Sequence, residues 1–408
     1  MHTIGFKIGK NTYKENSLLS IITFLYMCKS SFTNCATAIG FSTTITAGVI
    51  LISAIVILLH YTLINFKDIR FDGIFLILAC VAFFAITIEI HPEYSYRYQD
   101  IYNEGRFSAA SVFGVGAGIY TYYIFRLYGE DIELIYETYK PIPYFIFFLN
   151  IPTMLKGSNY YAMDFGYQME LAAILFLVQY LHEDKKKRKL ILSGLAMLFG
   201  VIYGARASIL GFLVFIVCYL IWKKKATVER IIFLGIAIAS TLIYNSQFIM
   251  MGIYKFFSSM GIDSRTLYLI ANGDILANDY ARQDIIWPEL TKLINDSSLF
   301  KMYGAFGDRY YLDPYYPYAH NMVLEILITF GKFFGGIILM LIVYHFIRTC
   351  VRNRGTGGIL TLAFGCFCIC RLMFSSSFWM EPYFWAFLAL MVNCAKLYKL
   401  ERWTEAQL

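Results

Sequence analysis

The residues best suited to chemistry lie between Tyr315 and Gly336, where a tyrosine-rich loop runs into a long apolar stretch. His320 stands at this junction. Histidine is the side chain whose ordinary pKa lies closest to neutrality, so it can accept a proton under physiological conditions. An imidazole where a polar loop enters a membrane helix predicts acid–base chemistry at the rim of a helical bundle. The alternative is that His320 only anchors the helix at the interface.

Two further polar residues follow at the start of the apolar stretch. Asn321 and Glu325 are four residues apart and share one face of the predicted helix. An ionised glutamate in the first turns of a membrane helix is costly unless it faces protein or water. We therefore expect this pair to face the same site as His320, unless Glu325 extends to the membrane surface.

The elements that must position these residues are apolar runs of about twenty residues, the length that crosses a bilayer core. Hydrophobic residues make up 58% of the 408-residue chain and charged residues only 15%. In lipid only helices or closed barrels satisfy every backbone group, and these runs are too long for barrel strands. The sequence therefore predicts an all-α, polytopic membrane bundle that forms one domain over residues 1–408. The polar stretch 1–16 predicts no cleavable signal peptide.

Short basic blocks predict the orientation, because lysine and arginine concentrate on the cytoplasmic side of membrane proteins. About twelve spans fit between these blocks, with both termini and every block in the cytoplasm. The weakest spans are the first, which contains Lys29, and the fifth, which contains Pro143 and Pro152. The predicted spans are 17–38, 41–66, 73–90, 107–127, 141–155, 160–181, 190–205, 207–222, 231–250, 322–347, 358–376 and 378–398. One long extracytoplasmic loop, about 251–319, joins the ninth span to the tenth.

Charge and cysteine content argue against two other kinds of site. The net charge of +7 comes from short blocks between apolar runs, so it does not indicate nucleic-acid binding. The nine cysteines lie mostly inside apolar runs and predict buried thiols without a disulfide framework. Cys366, Cys368 and Cys370 alternate within one helix and spread around it, so their spacing does not predict a metal site.

Several arginines fall on the predicted outer side, where the orientation rule does not place them. Each one alone is better explained by snorkelling or by pairing with a loop acid. An arginine at mid-membrane costs about 2.5–3.5 kcal/mol, so Arg371, inside an apolar run, needs a partner. Guanidinium groups suit bidentate contacts with phosphate, and their convergence on one face predicts a site for a diphosphate head group. The set is Arg106, Arg206, Arg265, Arg282, Arg309 and Arg371.

The predicted outer loop has features of its own. Trp287-Pro288-Glu289 predicts a helix start, with proline at the first helical position. Gly304 and Gly307 then interrupt the pattern. The tyrosines that follow have two possible roles. They are expected either to form an aromatic belt at the membrane interface or to stack on the faces of sugar rings. The apolar stripe of the helix, which predicts contact with the membrane surface or a cap on the bundle, is Ile285, Ile286, Leu290, Leu293 and Ile294. The tyrosines are Tyr310, Tyr311, Tyr315, Tyr316 and Tyr318.

Taken together, these features resemble the polymerases of O-antigen and capsule repeat units and the related O-antigen ligases. The motifs cover roughly the last half of the chain, and each is short, but their order and spacing agree with the family. Two positions depart from it: Ala281, where the family often has glycine, and Phe334, where ligases have a small or hydroxyl residue. The main match is His320, Asn321, Leu324, Glu325 and Gly331, followed by Gly335. The other matches are the segment from Arg282 to Trp287, the turn from Gly304 to Gly307 and the turn from Arg206 to Ser208.

The resemblance implies glycosyl transfer on the outer face of the bacterial cytoplasmic (inner) membrane. A glycan on undecaprenyl diphosphate would pass to a hydroxyl of the next lipid-linked repeat unit, giving O-antigen, capsule or exopolysaccharide. Arg206 and Arg282 would stabilise the departing diphosphate, with His320 as the general base. No metal, nucleotide or other cofactor is required, because the donor is already activated. The residues expected to bind substrate are Arg106, Arg265, Arg309, Arg371, Asn321, Glu325, Tyr316 and Tyr318.

Two other functions stay open at this point. An O-antigen ligase would use the same chemistry with a lipid A–core acceptor, and Phe334 weighs mildly against it. A flippase for lipid-linked oligosaccharides, or another transporter, would place charges or broken helices near the membrane midplane in several spans. The expected partners are undecaprenyl-diphosphate-linked oligosaccharides and membrane lipids, with a flippase and a chain-length regulator as further candidates.

Overall fold

The structure is a computed structural model that describes residues 6–8, 11–13, 17–65, 69–94, 109–155, 163–183, 186–204, 206–223, 247–262, 264–273, 281–312 and 318–407. Within these residues the fold is helical apart from one antiparallel pair of short strands, β1 (Phe6–Ile8) and β2 (Asn11–Tyr13). The prediction of an all-α fold is confirmed. Most of the predicted ninth span, 231–250, lies outside the described residues, as do Arg106 and Tyr316.

The helices are numbered in chain order. The first are α1 (Ser17–Met27), α2 (Lys29–Ala38), α3 (Thr43–Ile64), α4 (Phe71–Ile90) and α5 (Ala109–Leu127). They are followed by α6 (Ile132–Tyr139), α7 (Ile142–Leu149), α8 (Ile151–Leu155), α9 (Met163–His182), α10 (Lys187–Tyr203) and α11 (Arg206–Trp222). The predicted outer loop contains most of α12 (Gln247–Ser259), then α13 (Arg265–Ala271), a π-helical turn (Ala281–Ile286), α14 (Trp287–Asp296) and α15 (Gly307–Tyr311). The last helices are α16 (Met322–Arg352), α17 (Thr356–Phe374) and α18 (Pro382–Gln407).

Among the described residues, four helices are long and apolar enough to cross a membrane: α3, α4, α16 and α17. Two shorter apolar helices, Leu18–Met27 and Ala207–Trp222, are also present. The outward faces of α3 and α4 carry exposed apolar side chains such as Ile52, Leu63 and Phe75. Exposed apolar faces of this kind are suited to contact with lipid.

The two weakest predicted spans are not single continuous helices. Span 17–38 is divided at Cys28, and Lys29 begins the second helix, α2. Span 141–155 is divided between α7 and α8 at Asn150, with Pro143 in the first turn of α7. Together α7 and α8 extend only about 20 Å, less than the ~30 Å thickness of a hydrocarbon core. Because the segment is divided at Asn150, Pro143 and Pro152 each lie in the first turn of a helix, where no helical hydrogen bond is lost.

The centre of the bundle is formed by α9 and α17, whose side chains are mostly buried. A buried arginine ties three helices together away from the predicted site. Arg126 of α5 is fully buried, and its Nη2 lies 2.7 Å from Asp72 Oδ2 at the start of α4. The same guanidinium also donates to Asn393 of α18. These contacts hold α4 against α5 and α18.

The longest helix, α16, is broken near its outer end. Gly331 has φ 77° and ψ 166°, a backbone conformation that is essentially restricted to glycine. A Cβ atom at Gly331 would lie 2.7 Å from the carbonyl oxygen of Lys301. Gly331 therefore ends one helical segment and begins another. A segment of the same polypeptide, residues 299–304, passes beside the break.

Residues 299–304 form hydrogen bonds with backbone groups of α16 on both sides of the break. Tyr303 N donates to Ile328 O at 3.0 Å, and Gly304 N donates to Thr329 O at 3.2 Å. On the other side of the break, Phe333 N donates to Leu299 O at 3.1 Å. Unpaired backbone groups are expensive in an apolar environment, so these bonds fix the segment 299–304 on α16.

Replacing Gly331 by alanine should lower stability by about 1–3 kcal/mol, the cost of holding a side chain in a sparsely populated backbone conformation. Gly336 is the matched control: it lies in the same helix, and a Cβ there meets nothing within 4 Å. Gly336→Ala should keep or slightly raise the unfolding temperature, because alanine favours a helix interior over glycine. Thermal unfolding of the purified variants in detergent checks this. Equal midpoints for the two variants would contradict the strained role of Gly331.

Candidate functional site

Helix α14 places Arg282 close to the start of α16. It begins at Trp287, with Pro288 in the first turn, as the sequence predicts. Ile286, Leu290 and Ile294 are buried in one apolar cluster with Ile328 of α16. Of the two predicted roles for this stripe, the structure has the cap on the bundle. The π-helical turn that carries Arg282 leads directly into this docked helix.

Asp308 holds the chain that carries His320. It lies in the first turn of α15 and is fully buried, and its Oδ2 accepts a 3.0 Å hydrogen bond from Ala319 N. Ala319 is also fully buried. Helix α15 directly follows the segment 299–304 that is hydrogen-bonded to α16. The bond from Ala319 to Asp308 therefore ties the residue before His320 to that segment.

The backbone conformation and the ring contacts of His320 constrain its position. Its φ is 51°, a left-handed conformation that is uncommon for any residue with a side chain. Its ring packs on Tyr318 with 4.0 Å between the ring centroids. Nδ1 is buried and has no hydrogen-bond partner among the described residues. The ring also interacts with the backbone of Phe374 at the end of α17.

The environment of His320 favours the neutral imidazole. Burial, reinforced by the positive charge of Arg282, lowers the pKa of His320 to about 4. The two residues that the sequence assigns to the base and the diphosphate are therefore within electrostatic reach of each other. This pKa lies well below the near-neutral value that histidine ordinarily has. At pH 7 the ring is neutral and can accept a proton.

Asn321 and Glu325 have structural contacts. Asn321 is the N-cap of α16, and its Oδ1 accepts hydrogen bonds from Val323 N at 2.9 Å and Leu324 N at 3.2 Å. Glu325 is only 1% exposed, so it does not extend to the membrane surface. Its carboxylate accepts hydrogen bonds from Ser377 Oγ and, at 3.1 Å, from Phe378 N. Glu325 thereby holds the connection between α17 and α18.

Arg309 is buried beneath the site. It is 4% exposed, and its guanidinium carbon lies 3.7 Å from the centre of the Phe306 ring. Its charge reaches both Asp308 and Glu325. Burial raises the pKa of Asp308, and the charge of Arg309 opposes that shift. Arg309 therefore balances the charge of buried carboxyl groups.

Arg371 has the partner that its position in an apolar run requires. Its Nε lies 2.9 Å from Glu381 Oε2, and its Nη2 lies 3.1 Å from Asp164 Oδ1. The guanidinium carbon is also 4.8 Å from the centre of the Tyr167 ring. Arg371 stands one helical turn before Phe374, whose backbone bonds to His320. Its charge is shared between two acids, so it joins α9, α17 and the connection to α18.

Two further predicted arginines, Arg206 and Arg265, lie near the turn between α10 and α11. Arg206 begins α11, and its side chain is outside the described residues. Arg265 begins α13 and is exposed, and the neighbouring Thr266 Oγ1 donates to Gly204 O at 2.6 Å. A Cβ at Gly204 would lie 2.3 Å from the Cα of Gly166 in α9. The turn therefore lies against the end of α9 that also carries Asp164.

Sequence reasoning missed the acids that organise this region. Asp308, Asp164 and Glu381 each bond to a predicted element, but none belongs to the motifs that suggested the site. Lys29 is within electrostatic reach of Asp164, although the sequence indicated it only as a defect of the first span. The sequence did offer one indication of these acids. A charged residue inside an apolar run needs a partner of opposite charge, so the acids near Arg371 and Arg309 could have been considered as partners.

The described residues contain no group of three or more histidine, cysteine or acidic side chains that could hold a metal ion. No family model matches the chain, and comparisons with curated proteins and with solved structures give no match either. The resemblance to the polymerase and ligase family therefore stays a prediction.

The lowered pKa of His320 predicts a pH effect on stability. The unfolded chain binds a proton at this residue near pH 6.5, whereas the folded protein does so only near pH 4. The contribution is fully present above pH 6.5 and is lost as the pH falls from about 6.5 to about 4. Unfolding temperatures of His320→Gln should consequently fall less over this range than those of the wild type.

His60→Gln is the control for that experiment, because His60 is an exposed residue of α3. It should follow the wild-type dependence. A His320→Gln variant that loses stability as steeply as the wild type and His60→Gln would show that His320 titrates normally.

Proposed function

We propose that this chain is a membrane glycosyltransferase that polymerises undecaprenyl-diphosphate-linked oligosaccharide repeat units on the outer face of the bacterial cytoplasmic membrane. One observation carries the proposal: a neutral imidazole with an unpartnered nitrogen lies within electrostatic reach of Arg282, beside the start of a membrane helix. A base for a hydroxyl and a cation for a diphosphate are the two groups that this transfer needs.

The reaction follows from those two groups. The acceptor hydroxyl oxygen attacks the anomeric carbon of the donor sugar while the bond from that carbon to the diphosphate oxygen breaks. The hydroxyl proton passes to the neutral ring of His320, and the bonding electrons leave with the diphosphate. Arg282, together with Arg206, stabilises the negative charge of the leaving group. The transfer requires no cofactor.

The environment of the other arginines assigns them supporting roles in this scheme. Arg371 already contacts Asp164 and Glu381, and Arg309 lies beside Asp308 and Glu325. Removing either guanidinium would leave a buried acid uncompensated, Glu381 for Arg371 and Asp308 with Glu325 for Arg309, which is strongly destabilising. We therefore infer that Arg309 and Arg371 position the site, and we keep Arg282, whose charge reaches His320, as the proposed contact of the diphosphate. An anionic diphosphate beside Arg282 would also raise the pKa of His320 and strengthen it as a base.

The proposal includes a topology of about twelve spans with both termini in the cytoplasm and residues 251–319 outside. Its partners are lipid-linked oligosaccharides and membrane lipids, together with a flippase and a chain-length regulator. An O-antigen ligase that transfers glycan to lipid A–core would use the same residues. A synthetic lipid-linked repeat unit distinguishes the two, because only a polymerase extends it without a lipid A–core acceptor.

A transporter is the second candidate, and the break of α16 at Gly331 is the observation that favours it. Broken helices form binding sites in many transporters. In this chain, however, the open backbone groups are bonded to residues 299–304 and do not face a cavity. Transfer therefore accounts better for the break, which serves to dock the segment leading to Asp308 and His320.

His320→Gln and Arg282→Lys should separate the two proposed roles. Loss of a general base lowers turnover by about 10² to 10⁴ while donor binding is kept. Arg282→Lys keeps a charge but loses the planar fork, so donor affinity should fall as well. A purified assay with lipid-linked repeat units measures kcat and KM, with His60→Gln as the control. Near wild-type turnover in His320→Gln would exclude it as the base.

The topology predicts opposite labelling of two exposed lysines. Lys292 in α14 belongs to the outer segment, and Lys187 at the start of α10 belongs to a basic block. In intact cells an impermeant maleimide should modify Lys292→Cys but not Lys187→Cys, and both should react after lysis. The reverse pattern in intact cells would invert the orientation.

A further inference from the structure

A shallow cleft lies between the last turns of α16 and the middle of α18, at the far end of α16 from His320. Residues three or four apart share one face of a helix, so one stripe of α16 meets one stripe of α18 there. We call it the basic cleft. The described residues that line it include His345, Arg348, Arg352 and the C-cap Asn353 of α16, with Ala395 and Tyr398 of α18.

The charge of the basic cleft is positive and has no counter-ion in its lining. The described residues that line it include no aspartate or glutamate. The guanidinium carbon of Arg348 lies 5.8 Å from the centre of the Tyr344 ring, and that of Arg352 lies 4.9 Å from the centre of the Tyr398 ring. Arg371, by contrast, is paired with two acids inside the bundle. The charges of Arg348 and Arg352 therefore act on whatever enters the cleft.

The donors of the basic cleft suit the oxygens of a phosphate group. Arginine stacks on aromatic rings through its face, and its N–H groups lie in the plane, where they match phosphate oxygens in pairs. The side-chain amide of Asn353 can supply a further, uncharged donor. The enclosed volume is about 10 Å³, which is room for one water-sized group. The cleft can therefore take one or two oxygens of a phosphate while its carrier stays outside.

An apolar surface suited to lipid borders the basic cleft. Helix α16 is long and apolar enough to cross a membrane, and Val343, Ile347 and Val351 on its outward face are each more than half exposed. From the break at Gly331 to Arg348 the helix extends about 26 Å, close to the ~30 Å depth of a hydrocarbon core. The cleft therefore lies where the apolar helix surface gives way to a polar end, which is the level of lipid head groups.

We propose that the basic cleft binds the phosphate group of an anionic phospholipid. Arg348 and Arg352 contact the phosphate oxygens, and the acyl chains lie along the exposed apolar face of α16. Basic pockets between membrane helices bind anionic head groups in this way. A free phosphate ion has the same oxygens but lacks the acyl chains, so it would make no contact with the apolar face. The inference depends neither on the transferase proposal nor on which leaflet holds the cleft.

Lipid binding to the full-length protein in detergent tests the site, and native mass spectrometry measures it. Phosphatidylglycerol and phosphatidylcholine are added separately, because both carry a phosphate but only the first has a net negative charge. A cation near the lipid surface strengthens the binding of an anionic lipid about fivefold, so Arg348→Gln with Arg352→Gln should weaken phosphatidylglycerol binding about thirtyfold. The matched control, Lys187→Gln with Arg188→Gln, removes two charges from exposed residues of another basic block and should keep the wild-type affinity.

Ala395→Leu tests the shape of the basic cleft without changing its charge. The larger side chain fills the space beside the two arginines, so most of the preference for phosphatidylglycerol over phosphatidylcholine should be lost. Thermal unfolding of each variant checks that it is folded. Should Ala395→Leu not fold, the arginine variant and its control decide the proposal alone.

Four results would overturn the proposal. Equal binding of the two lipids by the wild type would remove the need for a cationic site. Equal losses in the arginine variant and in the Lys187–Arg188 control would reduce the effect to general surface charge. Wild-type binding by folded Ala395→Leu would place the lipid elsewhere. Displacement of phosphatidylglycerol by inorganic phosphate at the same concentration would assign the cleft to a soluble phosphate.

Discussion

The break of α16 at Gly331 is the constraint on which the rest of the site depends. A helix that ends inside apolar surroundings must find partners for its open carbonyl groups, and here they are the N–H groups of Tyr303 and Gly304. That requirement fixes the course of the chain from 299 to 304 and the start of α15. Asp308 then accepts a hydrogen bond from Ala319 N, the residue before His320. The position of His320 therefore depends on the bonds that Tyr303 and Gly304 make to α16.

Charge compensation is the second organising principle, and it gives several of the predicted charged residues supporting contacts. Arg371 joins Asp164 and Glu381, and Glu325 bonds to Ser377 and Phe378. These contacts fasten the connection 375–381 from both sides and keep the end of α17 against His320. Burial, with a smaller contribution from the charge of Arg282, holds the imidazole neutral.

Local patterns in the sequence predicted the elements, but long-range contacts decided the site. Hydropathy predicted an all-helical fold, and Trp287-Pro288 predicted the start of α14. The apolar stripe of α14 left a cap on the bundle and contact with the membrane surface both open. The need of Arg371 for a partner was also predictable, because burial of a lone guanidinium is costly. The partner was not, since Asp164 lies far away in the chain. Gly331 belonged to the motif, yet its role depends on Lys301 and the passing segment, which no periodicity reveals.

One glycine thereby fixes both the break of α16 and the segment that crosses it. The break exposes carbonyl groups that dock the segment leading to Asp308 and His320. A side chain at Gly331 would lie against the carbonyl oxygen of Lys301 in that same segment. The position of His320 therefore depends on contacts that lie outside its own helix.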